Sequence, residues 1–271
     1  QYLYPEFLLF QRLFERRGLG ALGGPATGLP ARSDPLGDVV LRAGVVGAVE
    51  ARGHVARVVV GVRARLRDER RFANRRVDVV QDGNLLATAL IAYLSGGAGL
   101  EHGMAAPDVA PPHELPTIEE LLVGYEETVP LFVSALKPIE WRYTNDPAWV
   151  MRDKGEKLGH NRVWLKARGE LPEDPVLHNA ALVYASDTTV LDSIITTHGL
   201  SWGHDRIFAA TINHSVWFHR PVRFDDWVLY STASPVAAES RGMGSGHFFG
   251  LDGQLLATVV QEGLVKYFPA R

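Results

Sequence analysis

The stretch DGNLLAT at 82–88 returns as DGQLLAT at 252–258, with six of seven residues the same and an offset of 170 positions. At that same offset Arg71 falls on Arg241. Asp-Gly between two strand-like runs is a hairpin signal, because glycine takes the positive φ that tight turns require. FANRRVDVV leads into the first turn, QDGN, and LLATALIAYL leads out of it, so residues 72–94 read as a β-hairpin. Gly242–Gly250 and Leu255–Lys266 flank the second turn and read as its counterpart. Two copies of one hairpin, each closing its half of the chain, imply a duplicated α+β unit with a long helix and a largely antiparallel sheet.

Strand-like alternation extends outward from these hairpins. It runs over Val55–Leu66, Ile139–Tyr143, Arg162–Gly169, Phe208–Phe218 and Trp227–Ala233. Leu177–Ile195 is the longest helical pattern, with Ala180, Val183, Tyr184, Leu191, Ile194 and Ile195 on its apolar face. Residues 5–17 read as a second amphipathic helix, opened by Pro5 and stopped by Gly18. Pro107, Pro111, Pro112 and Pro116 mark residues 105–116 as a linker. Thr117 with Glu120 forms a capping box opening a helix that Pro130 ends or kinks. Between Glu15 and Arg71 there is no aromatic residue, no Lys and no Ile, while Pro25, Pro30 and Pro35 interrupt any long helix. The first half is therefore expected to be the less regular one.

Composition narrows the function. The 271 residues allow one large or two ordinary domains, and 46% hydrophobic with 22% charged residues supplies a full globular core. A net charge of -3 and a pI near 6.4 argue against a nucleic-acid partner. With no cysteine there is no disulfide, no thiolate zinc site and no thiol nucleophile. The apolar run Leu85–Leu94 is far too short for a membrane span, and QYLYPEFLLFQRLFERR lacks the basic start and cleavage site of a signal peptide. A soluble cytoplasmic protein is expected. GLGALG at 18–23 matches a dinucleotide-binding pattern, but a helix precedes it and Gly24-Pro25 follows, where a strand and a helix are required. There is no G-x-S-x-G elbow, and the late histidines (His178, His198, His204, His214, His219, His247) show no metal-binding spacing. No metal or cofactor is expected.

Three features then stand out. Asp187 lies three residues after Tyr184 and four before Leu191, on the apolar face of the 177–195 helix, where a carboxylate is costly unless paired or working; Asp192 points elsewhere and reads as solvated. Gln261 interrupts the strand Val259, Val260, Leu264, Val265, and its repeat mate is the hydrophobe Ile91. It reads equally as a site residue and as an edge-strand glutamine facing water. In ATINHSVWFHRP at 210–221, strand alternation puts Thr211, Asn213, Ser215 and Trp217 on one face, which fits a lined cleft or a solvated surface.

YASD at 184–187, ATINHSVWFHRP at 210–221, DGQLLAT at 252–258 and VQEG at 260–263 together resemble the acyl-CoA thioesterase II family. The likeness is dense from Arg162 to Phe268 and visible again from Arg71 to Leu122. It implies an α+β double hotdog, two tandem units that each wrap a sheet round a long helix. It also implies hydrolysis of acyl-CoA to free fatty acid and CoA without a metal, a cofactor or a covalent enzyme intermediate. The family's catalytic Asp, Thr and Gln carry over onto Asp187, Thr211 and Gln261. Asp187 would act as general base or orient the attacking water, Thr211 and Gln261 would hold that water, and a backbone N–H near the start of the 177–195 helix would serve the oxyanion. The implied organisation is a divergent N-terminal hotdog unit over 1–104, a Pro-rich linker and helix over 105–137, and a C-terminal unit over 138–271 carrying the catalytic set. The expected partners are an acyl-CoA substrate and further copies of the chain in a homo-oligomer.

The chain departs from the family pattern in two places. Asn213 stands where the family usually has Asp. GGPATG at 23–28 and VLRAG at 40–44 replace the usual first-half motifs, with Pro25 in place of a glutamine. The alternative from another class is a catalytically impaired acyl-CoA-binding or scaffolding hotdog protein. A hydratase would need an Asp/His pair on a hotdog helix, and no such motif is present.

Overall fold

The computed structural model describes residues 44–51, 54–81, 83–129 and 138–269. The expected helix over 5–17, GLGALG at 18–23, the three early prolines and Pro130 lie outside the described residues. The chain divides into two compact units, Gln1–Glu101 and His102–Arg271.

The described part of the first unit is an antiparallel meander of β1 (Gly44–Ala51), β2 (His54–Asp68), β3 (Phe72–Gln81) and β4 (Asn84–Leu94), in that spatial order. The β3–β4 hairpin turns through Gly83 at φ 81°, with no atom near its absent Cβ, so glycine is demanded by the backbone and not by packing.

The second unit contains β5 (Ile139–Tyr143), β6 (His160–Ala167), β7 (Ile207–Phe218), β8 (Val228–Ala238), β9 (Arg241–Gly250) and β10 (Leu255–Tyr267). They form one antiparallel sheet ordered β5-β6-β8-β9-β10-β7. Its helices are α1 (Ile118–Leu121), α2 (Ala148–Lys154), α3 (Pro175–Ser186) and α4 (Asp192–Thr197). The β9–β10 turn passes through Gly253 at φ 75°, the counterpart of Gly83, so the glycine keeps its positive φ in both copies, although two residues join the strands at the first turn and four at the second. The strand before each meander is placed differently. Nine residues separate β7 from β8, enough to carry β7 across to the far side of β10, whereas two separate β1 from β2. Two residues cannot cross strands spaced about 4.8 Å apart, so β1 folds directly onto β2.

Residue alternation sets the core. On β5, Ile139, Trp141 and Tyr143 are buried while Glu140 and Arg142 are half-buried, and Trp141 stacks on Tyr143. On β9 the inward positions are Gly242, Gly244, Gly246 and Phe248. With no side chains on Gly242 and Gly244, α4 and the chain just before it approach the sheet closely, and Gly246 leaves room for the Tyr230 ring. A Cβ on Gly242 would stand 2.6 Å from Ile194, and one on Gly244 2.5 Å from the Val190 carbonyl oxygen. The proline-dense segment 105–116 runs along the sheet. Ala106, Val109 and Leu115 pack on Trp164, Leu229 and Phe249, and the Trp164 indole N–H donates to the Ala110 carbonyl at 3.0 Å. The capping box at Thr117 and Glu120 is formed, but α1 lasts one turn.

The continuous helix expected over 177–195 is broken. Asp174 caps the start of α3 through Val176 N at 2.9 Å, but the helix ends at Ser186 and α4 starts at Asp192. Side-chain hydroxyl bonds to backbone carbonyls accompany the break. Ser186 Oγ donates to the Val183 carbonyl at 2.7 Å and Thr188 Oγ1 to that of Ala185 at 2.5 Å, competing with the helical ladder in a β-branched run. The interruption shifts the helical phase of residues 187–197. The buried residues of α3 are His178, Ala181, Leu182, Tyr184, Ala185 and Ser186, so Tyr184 is inside as expected, as are Ile194 and Ile195 on α4, whereas Ala180 and Val183 are half-buried. Asp192, expected in solvent, is 4% exposed and accepts from the Trp202 indole N–H at 2.5 Å. Burial pushes its carboxyl up to about 7.

Candidate active site

The break after Ser186 is also what positions Asp187. It caps α3 at the C-terminal end, and its backbone leaves the helix beside β10 and β7. The residue is exposed, yet its Oδ1 accepts from Gln261 Nε2 at 2.7 Å and from Thr211 Oγ1 at 3.3 Å. Gln261 Nε2 also donates to Thr211 Oγ1 at 2.9 Å. The three side chains therefore close a triangle in which every proton has an acceptor: the hydroxyl gives one to the carboxylate, and the amide gives one to each partner. Among the described residues, Asp187 Oδ2 has no hydrogen-bond partner.

Gln261 lies on the inward face of β10, between β9 and β7, and is 0% exposed. The reading of an edge glutamine facing water is thereby corrected. Thr211 reaches it through an irregularity that the alternation did not anticipate. Glu262 pairs with Asn213 but Gly263 pairs with Thr211, so Ile212 is an extra residue in β7. This bulge puts Thr211 and His214, three residues apart, on the same side, where an unbroken strand would oppose them. The expected common face of Thr211, Asn213, Ser215 and Trp217 is therefore interrupted. Asn213 Nδ2 donates to Glu262 Oε2 at 3.0 Å, on the flank of the triangle.

Two residues that sequence reasoning passed over complete the surroundings. His214 Nδ1 lies 2.5 Å from Gln261 Oε1, and its Nε2 lies 2.7 Å from Ser186 Oγ. Both residues sit inside motifs already singled out, YASD and ATINHS, but only the bulge reveals that they meet. Tyr230 donates its hydroxyl to the Ser186 carbonyl at 2.8 Å and stacks on Phe248 with ring centres 3.9 Å apart. Burial, with the Asp187 charge adding, holds the Tyr230 phenol well above its ordinary value and pushes that of Tyr184 up to about 12. Both stay protonated donors.

The oxyanion donor expected at the start of the 177–195 helix is corrected. Asp187 caps the opposite end of α3, and twelve residues at about 1.5 Å each put the helix start roughly 18 Å away along the axis. Among the described residues no group of three or more His, Asp or Glu side chains is arranged to hold a metal ion. No helix among them is long and apolar enough to cross a membrane.

Residues 132–264 match the acyl-CoA thioesterase family. The chain is 31% identical over 209 residues to acyl-CoA thioesterase 2 of Haemophilus influenzae, covering 74% of this chain and 71% of that one. The chain belongs to the acyl-CoA thioesterase family. It is also similar to the crystal structure of an acyl-CoA thioesterase II, TesB2, from Mycobacterium marinum, with 30% identity and a TM-score of 0.63 over 83% of this chain and 79% of that chain. It shares its fold with a conserved hot dog protein from Alicyclobacillus acidocaldarius, 19% identical, with a TM-score of 0.63 over 82% of this chain and 77% of that chain. The architecture is the α+β double hotdog, and the acyl-CoA thioesterase II family is the one to which the quoted motifs point.

Proposed function

We propose that this thioester hydrolase cleaves acyl-CoA by direct attack of a water molecule held by Asp187, Thr211 and Gln261. The convergence of these three side chains from α3, β7 and β10 carries the reading. A water needs about two to four polar partners to be fixed, and at this triangle it would donate to the Asp187 carboxylate and take a Gln261 amide proton or the Thr211 hydroxyl proton in exchange for a bond those groups make to each other or to Asp187. As the water oxygen bonds to the thioester carbon, its proton passes to Asp187; collapse of the tetrahedral species breaks the C–S bond, and the CoA sulfur leaves and takes up a proton. Asp187 is then a general base, and its exposure leaves Oδ2 accessible to water and substrate.

In this reading residues 1–104 are a divergent first hotdog unit, 105–137 a linker and helix, and 138–271 the unit carrying the reaction. A cytoplasmic location, which a cysteine-free chain permits, and a homo-oligomeric state go with it; sedimentation checks the second. The experiment is CoA release from acyl-CoA substrates of short to long chain. Release that depends on Asp187 supports the reading; tight binding of acyl-CoA without release assigns the chain to the non-catalytic alternative.

A further inference from the structure

The bonds around Gln261 do more than join it to Asp187 and Thr211. An amide has two ends of similar shape, and only one of its two orientations serves the triangle. If the side chain turned over, Oε1 would face the Asp187 carboxylate, an acceptor against an acceptor, and Nε2 would leave Thr211. Something must hold the oxygen end. That end meets His214 Nδ1 at 2.5 Å, and a carbonyl oxygen can only accept, so Nδ1 must carry the proton. At the other side of the ring, Nε2 stands 2.7 Å from Ser186 Oγ. Ser186 is fully buried and directly precedes Asp187 in the chain. The path Ser186, His214, Gln261, Asp187 thus leaves and returns to adjacent residues through two strands.

The Ser186 hydroxyl has one proton and two acceptors at equal distance: the Val183 carbonyl at 2.7 Å and His214 Nε2 at 2.7 Å. With a neutral ring, the hydroxyl donates to Nε2. With a cationic ring, Nε2–H donates to Oγ and the hydroxyl turns to Val183. His214 stays bonded at both ring nitrogens in both cases, with the Ser186–Val183 bond given up when the ring is neutral, and in both Nδ1 keeps its proton. From this geometry we propose that His214 is a positioning residue for thioester hydrolysis: it locks the Gln261 amide with Nε2 toward Asp187 and Thr211, and Ser186 locks the ring.

This inference rests on the assignment of Asp187, Thr211 and Gln261 to the reaction, and its test separates the two. His214→Leu removes the donor; kcat should fall roughly 10–100-fold, the range typical for residues that orient a functional group, with KM little changed. His214→Asn puts an amide N–H at the place of Nδ1 and should recover most of that loss. In a Gln261→Ala background, His214→Leu should cost nothing further, because a residue that acts only through Gln261 has nothing left to orient. An Asn variant as slow as the Leu variant, or losses that multiply in the double variant, would overturn the role. Should the Leu variant fail to fold, ring ¹⁵N shifts of the unmodified protein decide. His214, identified by its loss in His214→Asn, should show a protonated Nδ1 when neutral, and a neutral ring protonated at Nε2 would overturn the proposal. If Asp187→Asn retains full turnover, the underlying assignment falls; if Asp187→Asn is inactive while His214→Leu is unimpaired, only the His214 role falls.

Discussion

Gln261 Nε2 donates to Asp187 Oδ1 at 2.7 Å across 74 residues of sequence, joining the middle of a central strand to the capping residue of a helix. The bond is made from a buried side chain to an exposed one, so it brings an otherwise solvated carboxylate into register with the sheet.

Changing Asp187 tests whether that carboxylate works or merely packs. Asp187→Asn should reduce kcat by about 10²–10⁴-fold, the usual worth of a general base, with little change in melting temperature because the residue is exposed. Thr211→Ala and Gln261→Ala should cost less, since each removes one of several partners of the water. Asp187→Leu measured alongside by CoA release and thermal unfolding decides the matter: near-normal turnover in both Asp187 variants would falsify the general-base role.

Gly244 tests how the site is held against the sheet. A Cβ there meets the Val190 carbonyl oxygen at 2.5 Å, and backbone cannot swing aside as a side-chain end can. Gly244→Ala should push the 187–191 turn off β9, destabilise the unit by about 1–3 kcal/mol and lower kcat by displacing Asp187. An unaltered melting curve would show that the turn is not clamped as described.

The duplicated turns offer a matched pair. Gly83 and Gly253 have φ of 81° and 75°, and the nearest atom to a Cβ is absent within 4 Å at the first and 3.8 Å away at the second. Alanine at either position therefore faces backbone strain without a clash, and each should cost about 1–2 kcal/mol. Comparable losses in denaturant unfolding are expected from both.

Asp192 governs a pH dependence. Its carboxyl is raised to about 7 by burial, so the folded protein prefers it protonated. The stability this contributes is complete below the ordinary carboxylate value and is lost as pH rises through about 7. Asp192→Asn keeps an oxygen for the Trp202 indole N–H and cannot ionise. It should melt roughly 5 °C or more above the unaltered protein near pH 8, with the gap narrowing near pH 4. Parallel melting curves at every pH would exclude Asp192 as the titrating group.

Much of the molecule was legible in the linear order of residues. Alternation and the paired Asp-Gly turns marked out β2 to β10 and the duplicated hairpin, because strand period and positive-φ turns are local properties; β1, in the Gly- and Ala-rich stretch GVVGAVEA, was not legible in this way. The chemical types of Asp187, Thr211 and Gln261 were equally visible, as polar groups at odds with their neighbours or carried by a family motif. Tertiary structure alone decided the rest. The helix over 177–195 breaks where serine and threonine hydroxyls take the backbone carbonyls, and that break both exposes Asp187 and buries Asp192. The extra residue in β7 turns Thr211 and His214 to one side, which no period-two reading of that strand alone could reveal, because a bulge is defined by the partner strand. The locking of Gln261 through His214 and Ser186 depends on three segments meeting, and such a meeting is a property of packing, absent from any one stretch of chain.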